Sequence, residues 1–219
     1  MGNQRSSNSV PQELEERWFP ILYTRYEARP DSCGHGKRRG GFALVREWRV
    51  LTDEELTIHG DREIFPPWGI GGGTNAGGCA LIANKGRPDE RNLGMYATGI
   101  RLNAGDEIYY TSSGGGGYGH PLERDPELVL EDIKDEWLTM EAAKKFYGVV
   151  AKLIDEDTCD YEIDWEATKR LREELAKTPL PEGLHAHQVH PFGKRIKPGW
   201  EPTFEEVQPH ITVSRPPGW

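Results

Sequence analysis

Between Trp18 and about Gly114, no run with strand character goes far before a glycine-, proline- or asparagine-rich loop cuts it off. That punctuation is the strongest constraint on what this chain can build. Ile21–Tyr26 is rich in aromatic and branched residues and stops at Arg29-Pro30-Asp31, a turn signal. Phe42–Leu51 is a longer stretch whose second half alternates charged and apolar residues. Glu55–His59, Cys79–Ala83 and Ile108–Thr111 follow, each bounded by loop-forming residues. Short strands interrupted this often predict a β-rich sandwich or open-barrel-like domain over residues 13–122, behind a disordered polar lead over residues 1–12.

The pattern then turns helical, so the expected fold class is α+β. Asp125-Pro126 sets an N-cap before a proline at the first helical position, and Val129, Leu130, Ile133 and Trp137 make one apolar stripe. Thr139 caps a second helix, Met140 to Tyr147, which Gly148 can end in the left-handed conformation. Asp164 caps a third, with Leu171 and Leu175 on one face and Thr178-Pro179 as the stop. These elements form a short helical segment over residues 123–178, with the first two paired as a hairpin. Residues 179–219 lack any period but carry Trp200, Phe204 and Trp219 among prolines. Such a tail cannot build a core by itself. It is expected to be an extended, Pro-rich segment lying across another chain, with those aromatics as anchors.

Composition narrows the partners. The chain holds 26 glycines and 16 prolines among 219 residues, and its mean hydropathy of −0.71 is low for a core closed by one chain alone. A net charge of −9 argues against nucleic acid, whose phosphates require a basic surface. Lys37-Arg38-Arg39, the one run of three consecutive basic residues, reads as a solvated loop. No apolar run reaches the roughly 18 residues that a membrane helix needs. Three cysteines without a C-x-x-C pair imply reduced thiols and a cytoplasmic location.

Three stretches carry more than composition. They are Arg25-Tyr-Glu-Ala-Arg-Pro-Asp-Ser-Cys-Gly-His-Gly-Lys-Arg-Arg-Gly-Gly-Phe, Asp61-Arg-Glu-Ile-Phe-Pro-Pro-Trp-Gly-Ile-Gly-Gly-Gly, and Gly114-Gly-Gly-Gly-Tyr-Gly-His-Pro-Leu-Glu-Arg-Asp-Pro-Glu, the last continuing into Glu141–Val150. In this order and spacing the chain resembles, from about Val10 to Leu175, the C-terminal part of hydantoinase B. That family is shared with 5-oxoprolinases and the alpha subunits of acetone and acetophenone carboxylases. The resemblance implies a hydantoinase-A-like partner that binds ATP and phosphorylates a carbonyl oxygen of the substrate. The B-type part then completes amide hydrolysis or carboxylation. It also implies a divalent metal (Mg, Mn or Zn), held by His and Asp side chains of the family's N-terminal half. No position here matches one of those ligands. The expectation is therefore a hetero-oligomer in which this small subunit binds neither cofactor and a separate chain carries the N-terminal hydantoinase-B half.

Local chemistry gives few active groups. Gly114–Gly119 lacks the Lys-Ser/Thr of a phosphate-binding loop and suits close approach of another backbone, or the lining of a substrate channel. His120 stands where the family motif usually has Asp. Arg62 and Trp68 flank a loop fixed by Phe65-Pro-Pro, where Arg62 can pin carbonyls or carboxylates. Arg62, Trp68, Gly116, Tyr118 and His120 are thus the candidates for a channel or interface. Glu123-Arg124-Asp125 reads as a salt-bridged turn. His185, His187 and His190 have the only metal-like spacing, weak without a Cys or carboxylate nearby. No catalytic nucleophile can be named. The expected function is a structural or interface subunit of an ATP-dependent ketone carboxylase. The alternatives are the same role in a cyclic-amide hydrolase, and a free-standing binding module.

Overall fold

The structure is a computed structural model that describes residues 10–155 and 160–177. The tail aromatics and His185, His187 and His190 lie outside the described residues. A short helix, α1 (Gln12–Trp18), leads into β1 (Ile21–Arg29), β2 (Ala43–Val50), β3 (Glu54–His59), β4 (Ala80–Ala83), β5 (Arg91–Asn92), β6 (Tyr96–Leu102) and β7 (Glu107–Thr111). Five of these strands form an antiparallel sheet in the order β1-β2-β7-β4-β5, and β3 pairs antiparallel with β6. The two sheets share one core, in which Val50, Leu81, Ala83 and Ile108 meet Ala97, Ile100 and Leu102. Leu81, Leu102 and Ile108 are fully buried, and each contributes roughly 1.5–3 kcal/mol by leaving water. This is the sandwich-like α+β arrangement expected from the punctuated strands.

A 3-10 turn (Pro121–Glu123) introduces the second half: α2 (Pro126–Lys134), α3 (Met140–Ala142, running on as a π-helical turn over Ala143–Tyr147), β8 (Ala151–Asp155), β9 (Asp160–Ile163) and α4 (Trp165–Leu175). Each predicted cap is made. Asp125 accepts from the Glu127 amide, Thr139 from Ala142 and Asp164 from Ala167, and Gly148 takes a φ of 62°. The β8–β9 hairpin was not expected within the helical segment. It closes a second core in which Val129, Ile133, Ala143, Tyr147 and Val149 pack with Tyr161 and Ile163. Trp137 lies beyond the end of α2 and stacks on Phe42 at 4.7 Å instead of extending the helical stripe.

Polar clasps join the halves. Asp31 accepts from the Thr139 amide at 2.9 Å and its hydroxyl at 2.7 Å. Asp132, on the buried face of α2, receives Arg39 Nε at 2.8 Å and Arg124 Nη2 at 2.9 Å. Two expectations need correction. Arg39 is not a solvated loop charge: it turns inward to Asp132 and also lies over the Phe42 ring at 4.4 Å. Nor do Glu123 and Arg124 pair within their own turn. Glu123 meets Lys37, and Arg124 goes to Asp132 because a buried carboxylate needs neutralising partners more than an exposed one does.

Candidate functional site

The three glycine-rich stretches, far apart in sequence, run beside one another as a braid with backbone packed against backbone. Gly34 N–H donates to Gly115 O at 2.7 Å, and Gly115 N–H to Gly41 O at 2.8 Å. Arg38 and Tyr118 exchange amide and carbonyl bonds at 3.0 and 2.9 Å. On the other side Ile70 N–H reaches Gly117 O at 2.8 Å, and Gly119 N–H reaches Ile70 O at 2.9 Å. The third contact is Thr74 N–H to His35 O at 2.7 Å. This closeness requires glycine. A Cβ on Gly117 would overlap the His35 carbonyl, and one on Gly116 the Trp68 carbonyl. The glycines thus convert what would be three mobile loops into one hydrogen-bonded unit.

A buried polar group lies beneath the braid. His35 is 4% exposed, stacks on Phe146 at 3.9 Å and places Nδ1 3.2 Å from the Tyr147 hydroxyl. Burial lowers its pKa to about 4, Lys145 adding to the effect and Asp31 opposing it, so the imidazole is neutral near pH 7. Burial likewise pushes the Tyr147 phenol above its usual range, the Cys33 thiol up to about 12 and the Cys79 thiol up to about 11. Both cysteines are protonated near neutrality and so are poor nucleophiles. Among the described residues no group of three or more His, Cys, Asp or Glu side chains is placed to hold a metal ion.

The braid carries large apolar side chains at its surface, beside the exposed cations Lys37 and Arg38. Trp68 is 51% exposed, Ile70 59% and Tyr118 58%. The Arg62 guanidinium lies over the Trp68 indole, 5.6 Å from its centroid. The Ile70–Tyr118 bridge brings the second and third glycine stretches together here. Arg62, Trp68, Gly116, Tyr118 and His120 are thus all placed on or beside the braid. His120 Nδ1 accepts from the Leu122 amide at 3.2 Å and caps the 3-10 turn. An Asp oxygen would accept the same bond.

Sequence reasoning missed His35, Tyr147 and the Arg39–Asp132–Arg124 clasp. A signal for the last was present: Asp132 falls three residues after Val129 and beside Ile133, a carboxylate on the apolar face of a helix. His35 had none, since its neighbours Gly34, Gly36 and Lys37 look like a loop.

The model of the Hydantoinase B/oxoprolinase family matches residues 2–121, more than half of the chain and all three strands of the braid. The chain belongs to this family. An uncharacterized protein of Methanocaldococcus jannaschii is 38% identical over 167 residues, which is 75% of this chain and 28% of that protein. The acetophenone carboxylase delta subunit of Aromatoleum aromaticum is 30% identical over 191 residues, 73% of this chain and 27% of that subunit. The crystal structure of the ATP-dependent caprolactamase from Pseudomonas jessenii superposes with a TM-score of 0.61 at 26% identity, over 75% of this chain and 28% of that one. This hydantoinase B homologue thus spans little more than a quarter of each of these relatives. No helix among its described residues is long and apolar enough to cross a membrane.

Proposed function

We propose that this chain works as part of an ATP-dependent ketone carboxylase of the acetone/acetophenone type, completing a hydantoinase-B-like subunit by presenting the face of the glycine braid to it. The observation that carries this is the exposed trio Trp68, Ile70 and Tyr118 on a rigid backbone unit, with Arg62 over the indole. Aromatic and arginine side chains on a preordered surface are the usual anchors of protein interfaces. Gly116 lets the Trp68 backbone come close, and His120 holds the turn that follows. The groups beneath the braid are neutral and buried, which suits a scaffold. ATP and the divalent metal then belong to partners: a hydantoinase-A-like chain for the nucleotide, and the remainder of hydantoinase B for the metal.

The carboxylase branch is supported by the likeness to the acetophenone carboxylase delta subunit, and a cyclic-amide hydrolase is the second reading, favoured by the likeness to the caprolactamase. The test is to purify the tagged chain from its host and identify what accompanies it. An ATP-binding A-type chain together with the rest of a hydantoinase B supports both readings. ATP-dependent consumption of a ketone with bicarbonate, against that of a lactam, then decides between them. The chain alone is expected to turn over neither. Purification without those chains leaves the free-standing module, whereas turnover by the isolated chain, or a Trp68→Ala/Tyr118→Ala variant that still assembles, overturns the interface role.

A further inference from the structure

A second surface is formed where α2, β9 and the first residue of α4 enclose a groove of about 510 Å³. Its apolar lining is Leu130, Tyr161, Ile163 and Trp165, the last 56% exposed. Its polar lining is lopsided. Glu127, Glu131 and Glu162 contribute three carboxylates against the single ammonium of Lys134, which itself stands 3.8 Å from Asp160. An apolar trough with an acidic border suits a segment that alternates apolar side chains with cations and has no anion.

The chain contains such a segment beyond its described residues. Phe192-Gly-Lys-Arg-Ile-Lys-Pro-Gly-Trp200 has three cations, no acid, and three large apolar side chains at Phe192, Ile196 and Trp200. We propose that residues 192–200 dock in the α2–β9–α4 groove of their own chain, with Lys194, Arg195 and Lys197 against its carboxylates. Connectivity permits this. Trp165 and Leu175 are the two ends of α4, about 15 Å apart by helical rise. The connection from Leu175 to Phe192 can span roughly 55 Å when extended. Tethering also gives the segment an effective concentration of about 1 mM, so contacts too weak to hold a free peptide are enough. Such docking within the chain differs from the partner contact that the composition of residues 179–219 suggests, and it leaves Phe204 and Trp219 free for other roles.

The full chain at low concentration is treated with a zero-length carbodiimide, which condenses a carboxylate with a neighbouring lysine amine and releases water as the urea by-product. The monomer is then mapped by mass spectrometry. Amide links from Lys194 or Lys197 to Glu127, Glu131 or Glu162 are expected, with the Lys134–Asp160 pair as internal standard. Trp165→Ala removes an exposed anchor and leaves every carboxylate in place; it should lower the linked fraction roughly tenfold. About 1 M salt, where the screening length is about 3 Å, should also lower it. Absence of these links in the monomer overturns docking. Links confined to a covalent dimer assign the groove to a second copy and overturn it as well. A linked fraction indifferent to Trp165→Ala rules out seating in this groove.

Discussion

Gly117→Ala and Gly41→Ala add the same methyl group to two glycines of the same unit, and the structure gives them opposite signs. At Gly117 the new Cβ meets the carbonyl carbon and oxygen of His35 and, at 2.9 Å, the carbonyl carbon of Gly34. None of these is the end of a flexible side chain. The His35 carbonyl is held by the Thr74 amide at 2.7 Å, so relief requires the braid to open. Overpacking costs typically about 1–3 kcal/mol, and rigid neighbours put this case at the upper end. Relief of unfolded-chain entropy offsets only about 0.4–1 kcal/mol. At Gly41 nothing lies within 4 Å of the Cβ position and φ is not positive, so the entropy gain stands alone. In a thermal melt followed by circular dichroism, Gly117→Ala should lower Tm by about 4–10 °C and Gly41→Ala should raise it by about 1–4 °C, at roughly 2–4 °C per kcal/mol. Equal melting of the two variants, or a Gly41→Ala protein less stable than Gly117→Ala, would refute the view that the braid is held by close backbone contact.

Asp132→Asn keeps the shape of the clasp but leaves Arg39 and Arg124 crowded around a neutral amide. It should cost about 3 kcal/mol in urea unfolding, and a loss below about 1 kcal/mol would mean the pair is dispensable. Burial depresses His35, so between about pH 6.5 and 4 the unfolded chain takes a proton that the folded chain refuses. Stability should therefore fall as pH drops through that window, by about 3 kcal/mol in all; His35→Asn should flatten the slope of Tm against pH there. Val129 is fully buried and Leu130 only half-buried, so Val129→Asp should abolish soluble expression, whereas Leu130→Asp should fold with a loss of about 1–3 kcal/mol in urea unfolding.

Much of the fold was legible because its signals are local. A proline after Asp125, a threonine before Met140 and a glycine after Tyr147 act within one turn of the backbone, and each does in the structure what its chemistry predicts. The elements that escaped lack such signals. β6 holds Gly99 at a φ of 69°, in a bulge that shifts the register between Leu56 and Ile58 of β3. A glycine inside a short apolar run reads as an interruption unless the partner strand is known. α1 buries no residue, so it has no apolar stripe to reveal it. β8 and β9 are short, mostly exposed and rich in charge, and they become strands only because Tyr161 and Ile163 close the core under α2.

The candidate site was legible in kind and not in arrangement. Each glycine stretch alone announces that some backbone passes close by, yet nothing in Gly114–Gly119 says that the neighbours are Gly34–Gly41 and Ile70–Thr74. That pairing has consequences beyond packing. Backbone amides and carbonyls satisfy one another within the braid, so its hydrogen bonding does not depend on its outer side chains. Trp68, Ile70 and Tyr118 could be replaced by polar residues without breaking a described backbone bond. His35 shows the converse. Its imidazole is enclosed by Phe146 and Tyr147 from the second half of the chain, so it ties the braid to the helical core and is unavailable to a substrate. In the proposed role, recognition sits on the outside of the braid and stability on the inside. The double variant Trp68→Ala/Tyr118→Ala should accordingly lose assembly while keeping its melting temperature, a separation that an ordinary core mutation cannot produce.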